Sequence, residues 1–146
     1  MAGVLGIVLA VSMPAYPFRI GVGVGYDPSA LWVISALTET SIGEVFLVRA
    51  QVGLATGETE GLMLLGGSLL AHTLVPPIDP YAGLGIGLAL TPAGFSDGLT
   101  AEAVVGARVA VADPAGLFAQ ARFIARFIDT GIDYGPLFEA GIHLLF

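Results

Sequence analysis

Between Phe18 and Phe146 the side chains alternate, and the charges in the middle of the alternating stretches all fall on one side. Phe18, Ile20, Val22, Val24 and Tyr26 stand against Arg19, Gly21, Gly23 and Gly25. The same pattern sets Phe46, Val48, Ala50, Val52 and Leu54 against Arg49, Gln51 and Gly53, and Leu84, Ile86, Leu88 and Leu90 against glycines. Further on, Ala101, Ala103, Val105, Ala107 and Val109 oppose Glu102, Gly106 and Arg108, and Ala119 to Phe127 oppose Gln120, Arg122 and Arg126. A period of two is the signature of a β-strand, whose successive side chains point to opposite faces. Arg19, Arg49, Glu102, Arg108, Arg122, Arg126 and Glu139 share the face of small and polar residues, which leaves the other face free of charge. In Leu31 to Thr38 and Leu62 to Leu74 both faces are apolar; Trp32, Ile34 and Ala36 are expected outward, and Ser68 and His72 place the even-numbered positions of the second stretch inward.

A wholly apolar face needs an apolar solvent. Hydrophobic residues make up 55 % of the chain, mean hydropathy is +0.88, and only 12 % of residues are charged. A soluble surface of this size would carry roughly 25 to 35 % charged residues. Lipid is crossed only by structures that satisfy their own backbone hydrogen bonds, the α-helix and the closed β-barrel. A helix needs about 20 nearly uncharged residues and a strand only about 9 to 11. Beyond the N-terminus, Pro, Asp, Glu or Arg interrupts every apolar run short of helical length. A soluble barrel with a lipophile inside would need the reverse arrangement, and its exterior would be mostly glycine.

Turn-forming clusters at Asp27-Pro28-Ser29, Thr40 to Gly43, Thr56 to Gly61, Pro76 to Pro80, Pro92 to Gly98, Asp113 to Gly116 and Asp129 to Asp133 divide the chain into eight strands. The expected fold is therefore all-β, an eight-stranded antiparallel up-and-down transmembrane β-barrel over residues 17–146. Residues 1–16 are apolar enough for the hydrophobic region of a signal peptide, although they lack a basic leader and a good cleavage site; a disordered segment is the alternative.

The last strand, Phe138 to Phe146, has apolar residues at Phe138, Ile142, Leu144 and Phe146 and ends on an aromatic. This resembles the C-terminal signature of bacterial outer-membrane barrels. With eight alternating strands before it, the chain is similar to the small proteins typified by the OmpA membrane domain, OmpX and OmpW. The resemblance implies the outer membrane of the Gram-negative cell envelope, lipids as surroundings, recognition of the terminal strand by the barrel assembly machinery, and a periplasmic N-terminus. It also implies long outer loops, often adhesive, whereas the four expected here are short.

An eight-stranded barrel is just wide enough for its side chains to fill it. Arg122 and Arg126 are expected to bridge Glu102 and Glu139 in an ion-pair network, with Arg19, Arg49, Gln51, Arg108, Gln120 and His143 as further polar lumen residues. The other acids, Glu39 and Asp79 among them, are assigned to turns or strand ends. On that assignment five Arg face two Glu inside, and the excess charge with many inward glycines leaves a narrow pore or anion binder as an alternative to a structural, membrane-packing role. A lipid-modifying enzyme is the third class. His72 and His143 are the only histidines, and neither has a Ser at two residues' spacing, so no catalytic role is assigned. With no Cys and two distant His, neither metal nor cofactor is expected. The net charge of −7 speaks against nucleic acid as a partner. Phe18, Phe46, Tyr81 and Phe146 are expected to form one aromatic girdle, and Tyr26, Trp32, Phe95, Phe127 and Tyr134 the other.

Overall fold

The computed structural model describes residues 18–28, 31–56, 61–73, 75–91 and 98–146; the expected signal segment lies outside them, as does Phe95. Eight strands form a single closed antiparallel barrel in chain order. They are β1 (Phe18–Asp27), β2 (Leu31–Ile42), β3 (Phe46–Thr56), β4 (Leu62–His72), β5 (Ile78–Leu90), β6 (Leu99–Ala112), β7 (Ala115–Ile128) and β8 (Gly131–Leu145). Each strand pairs with its sequence neighbour, and β8 closes on β1 with Leu145 opposite Arg19 and Phe138 opposite Tyr26. Along that ladder closure leaves no open sheet edge, so its hydrogen bonds are satisfied within the protein.

Three connections turn tightly, at 43–45, at Pro76-Pro77 between the bridged Val75 and Ile78, and at 113–114, on the end that also holds Phe18 and Phe146. We call this the turn end, and the opposite end the loop end. Gly43 takes φ +70° in the first of these turns, a conformation that a side chain would strain. The strands run further into the turns than the turn-forming residues suggest. β2 continues through Thr40 to Ile42, and β5 already begins at Ile78, so that Glu39 and Asp79 are strand residues with inward parity.

Burial follows the alternation. Val22, Val24, Trp32, Ile34, Leu84, Ile86, Val105 and Ile142 are exposed on the outer wall. Ser35, Arg49, Gln51, Ser68, Glu102, Gln120, Arg122 and Glu139 are buried in the lumen. In β2 and β4, Trp32, Ile34 and Ala36 point outward, and Ser68 and Leu70 inward. Tyr26 and Trp32 pack at a tilt at the loop end with ring centroids 5.3 Å apart, and Phe46 and Phe146 are exposed at the turn end. Tyr81 does not join the girdle. Its odd number puts it on the inward face of β5, where it is buried with Leu47, Leu70 and Val104.

The outer wall makes a depth-dependent prediction. Leu84, 71 % exposed at mid-height of β5, faces the hydrocarbon, and Leu84→Arg should cost about 2 to 4 kcal/mol. Ile132→Arg, near the loop-end rim, should cost only about 0 to 1 kcal/mol. Urea unfolding of the protein in lipid vesicles measures both; equal costs would contradict a bilayer around the outer wall.

Candidate functional site, the charged lumen

The interior is built mainly from cross-strand pairs. Antiparallel register sets Glu39 of β2 opposite Arg49 of β3, Asp79 of β5 opposite Arg108 of β6, and Gln120 of β7 opposite Glu139 of β8. Directly opposed residues are near enough for short side chains to meet. Longer ones reach across the barrel.

In the turn-end half, Glu39 is the centre. Arg49 donates to its Oε1 from Nε at 2.8 Å and from Nη2 at 2.5 Å, while Arg108 donates from the far wall to Oε2. The second nitrogen of Arg108 lies 3.2 Å from Asp79, and Arg19 reaches Glu39 and Asp79 at 3.9 and 4.0 Å. His72 Nδ1 is 2.9 Å from the other oxygen of Asp79. Two guanidinium groups lie over the ring of Tyr81, Arg49 at 4.8 Å and Arg108 at 4.7 Å from its centroid. Both cations thus gain the attraction of the aromatic face as well as their carboxylate partners.

Toward the loop end, Arg122 donates to Glu102 Oε2 from Nε at 2.9 Å and Nη2 at 2.5 Å, and to Glu139 Oε2 from Nη1 at 3.2 Å. Ser68 donates to Glu102, and Gln51 to Glu139 at 3.1 Å. Gln120 joins the two halves. Its carbonyl oxygen accepts from Arg49 and, at 2.9 Å, from Tyr81, while its amide nitrogen donates to Glu139 at 2.8 Å. One network of hydrogen bonds and ion pairs therefore runs from Asp79 to Glu102.

Arg126 stands apart from the expected cluster. Register puts it opposite Asp133, to which it donates at 2.7 Å; it is 29 % exposed at the loop-end rim and makes no bridge to Glu102 or Glu139. The expected excess of positive charge is also corrected. Arg19, Arg49, Arg108 and Arg122 face Glu39, Asp79, Glu102 and Glu139, so the described lumen is balanced. The two missed acids could have been found by extending the parity of Ser35 to Glu39 and that of Gly83 to Asp79.

Several inward glycines give clearance to neighbouring side chains. Gly85 lies between Ser68 on β4 and Glu102 on β6, and a Cβ there would meet the Ser68 hydroxyl at 2.6 Å and the Glu102 carboxylate at 2.7 Å. Gly106 sits in the same way between Tyr81 and Gln120, with the Tyr81 ring 2.6 Å from where its Cβ would be.

The two histidines lie in different surroundings. His72 is paired with a carboxylate rather than a hydroxyl, and His143, buried on β8, has an Nδ1 without a hydrogen-bond partner. Among the described residues no group of three or more His, Asp or Glu is arranged to hold a metal ion. The terminal strand presents Phe138, Ile142 and Leu144 outward, and Phe146 pairs through its backbone with Phe18.

No family profile and no curated protein matches the sequence. Solved structures do match the fold. A de novo designed transmembrane β-barrel aligns with a TM-score of 0.71 at 14 % identity, over 92 % of this chain and 98 % of that one. Neisserial surface protein A (NspA) aligns with a TM-score of 0.66 at 14 % identity, over 90 % of this chain and 96 % of that one. The outer membrane enzyme PagL aligns with a TM-score of 0.62 at 13 % identity, over 87 % and 97 %. The chain has the fold of the small eight-stranded transmembrane barrels of the bacterial outer membrane.

Proposed function

We propose that the protein is a resident of the bacterial outer membrane with a structural, membrane-packing role, and that its lumen is a plug rather than a pore. The turn end, with both ends of the barrel, faces the periplasm, and the barrel assembly machinery reads Phe138, Ile142, Leu144 and Phe146 during insertion. The observation that carries this reading is the charge-balanced network from Asp79 to Glu102. Ties such as Arg49 to Gln120, Arg108 to Glu39 and Gln51 to Glu139 cross the barrel between strands that are not neighbours. A solute moving along the axis would have to break them, leaving charges unpaired where water is scarce.

The fold also hosts an enzyme, PagL. A catalytic role here is disfavoured because both histidines lie inside the turn-end half, away from the outer rim, and His72 holds Asp79.

Planar-bilayer recording tests the plug. The protein should give no discrete conductance, and a steady ion current from the intact chain would overturn the reading. The structural contribution of the network is tested by unfolding. Arg122→Met leaves Glu102 and Glu139 without their shared cation and should cost about 3 to 5 kcal/mol. Combining it with Glu102→Gln and Glu139→Gln removes the stranded charges and should recover most of that loss in urea titrations. Equal stability of the single and triple variants would refute a network role.

A further inference from the structure

The ladder that closes the barrel is shorter than β8 itself. β1 meets β8 from Arg19 opposite Leu145 to Tyr26 opposite Phe138, while β8 already begins at Gly131. Gly131 to Leu137 are paired on one side with β7, from Ile128 to Arg122, and no described residue pairs with them on the other. Nor does the β1–β2 connection reach their full height. Asp27 pairs with Leu31, so three residues join the two strands, and a connection of that length turns back below the level of Tyr134.

The ladder also tells which backbone groups face this side. Phe18 and Phe146 exchange both hydrogen bonds, at 3.2 and 2.8 Å, and Leu145 donates toward β7, to Pro114 at 2.9 Å. In an antiparallel ladder the direction alternates from residue to residue, and the registers of β8 run without a shift. The even-numbered residues therefore turn their N–H and C=O groups away from β7, which leaves those of Tyr134 and Ile132 free at the edge. Pro136, next in that series, has no N–H to offer, as is usual for a proline on a sheet edge. An unpaired edge in hydrocarbon is too costly to persist, so this one stands at the headgroups or above them, within reach of water-borne molecules.

We propose that the edge of β8 at Ile132 and Tyr134 docks an extended peptide segment of another protein, which adds a strand antiparallel to β8 where β1 does not reach. Backbone donors and acceptors at strand spacing are complementary to another extended backbone, and alternate side chains supply the specificity. On the outer face, the exposed Ile132 and Tyr134 meet apolar residues of the added strand. On the inner face, a recess of about 380 Å³ adjoins the edge, lined in part by Gly135, Leu137, Val33 and Leu62, and a Cβ on Gly135 would meet nothing within 4 Å. The peptide residue opposite Gly135 points into that recess. A second copy of the barrel is not the occupant: two copies in one membrane share an axis along its normal, and strands tilted about 35 to 45° would meet crossed rather than antiparallel. The proposal goes beyond the structural role and does not depend on a plugged lumen.

Amide hydrogen exchange of the full chain in nanodiscs of zwitterionic lipid, read by NMR, tests the edge first. Ile132 and Tyr134 should exchange at least about tenfold faster than Gly135 and Leu137, whose N–H groups turn to β7. The hexapeptide acetyl-Thr-Leu-Val-Thr-Val-Thr-amide is then titrated in, with empty nanodiscs as the blank. Saturable binding that slows both edge amides is expected. N-methylation of the two valines, whose N–H groups turn to β8 when the leucine faces the recess, should weaken binding at least about tenfold, whereas N-methylation of the leucine and the central threonine should leave it unchanged. Tyr134→Pro removes an edge donor without touching a bond to β7 and should also weaken binding about tenfold. Ile132→Pro removes the other donor and keeps the test open if the first variant does not fold. Equal exchange along this part of β8, no saturable binding, or an equal effect of the two N-methylation patterns would each overturn the proposal.

Discussion

The carboxylate of Glu39 takes guanidinium donors from two walls of the barrel, Arg49 from the adjoining strand and Arg108 from across the lumen. The rest of the interior depends on arrangements of this kind. Charges this deeply buried survive only when hydrogen-bonded partners offset their desolvation, and one unmatched group would cost several kcal/mol. The requirement explains why Arg49, only 1 % exposed, is tied at once to Glu39, Gln120 and the face of Tyr81. It also explains why Asp79 is approached by Arg19, Arg108 and His72. Burial and pairing are one constraint here.

Along the axis the network is not uniform. The turn-end half holds Arg19, Arg49 and Arg108 with Glu39 and Asp79, an excess of one positive charge before any contribution from histidine. The other half holds Arg122 with Glu102 and Glu139, an excess of one negative charge. Neutral Gln120 connects them, accepting on the positive side and donating on the negative side. Its amide is suited to this because it carries both an acceptor and donors. A carboxylate or ammonium in its place would satisfy only one half.

Much of this was legible in the sequence, for a simple reason. A period of two in an apolar chain admits one partition of side chains, and the inward face followed directly from Arg19, Arg49, Glu102, Arg108, Arg122, Arg126 and Glu139. Strand ends were less legible. Thr40 and the Pro76 to Pro80 cluster read as turns, yet β2 and β5 pass through Thr40 and Pro80 as paired strand residues, which hid Glu39 and Asp79. Partner choice was less legible still. Arg126 meets Asp133 because register sets them directly opposite, and register depends on turn geometry that turn-forming residue types do not specify to within a residue. Tyr81 was misplaced among interfacial aromatics although its parity already pointed inward.

The inward glycines change how sequence variation in such a barrel should be read. Ser68 and Glu102 lie on strands that are not neighbours, and they touch only because Gly85 on the strand between them has no side chain. Tyr81 and Gln120 meet over Gly106 in the same way. In each case the unit that a substitution disturbs is a triplet spanning three strands rather than a pair. A side chain at the centre would push against Ser68 and Glu102 in the first case and Tyr81 in the second, and against a backbone carbonyl, of Gly67 beside Gly85 and of Ala119 beside Gly106, so the barrel responds by rows around its wall and not by single positions along a strand.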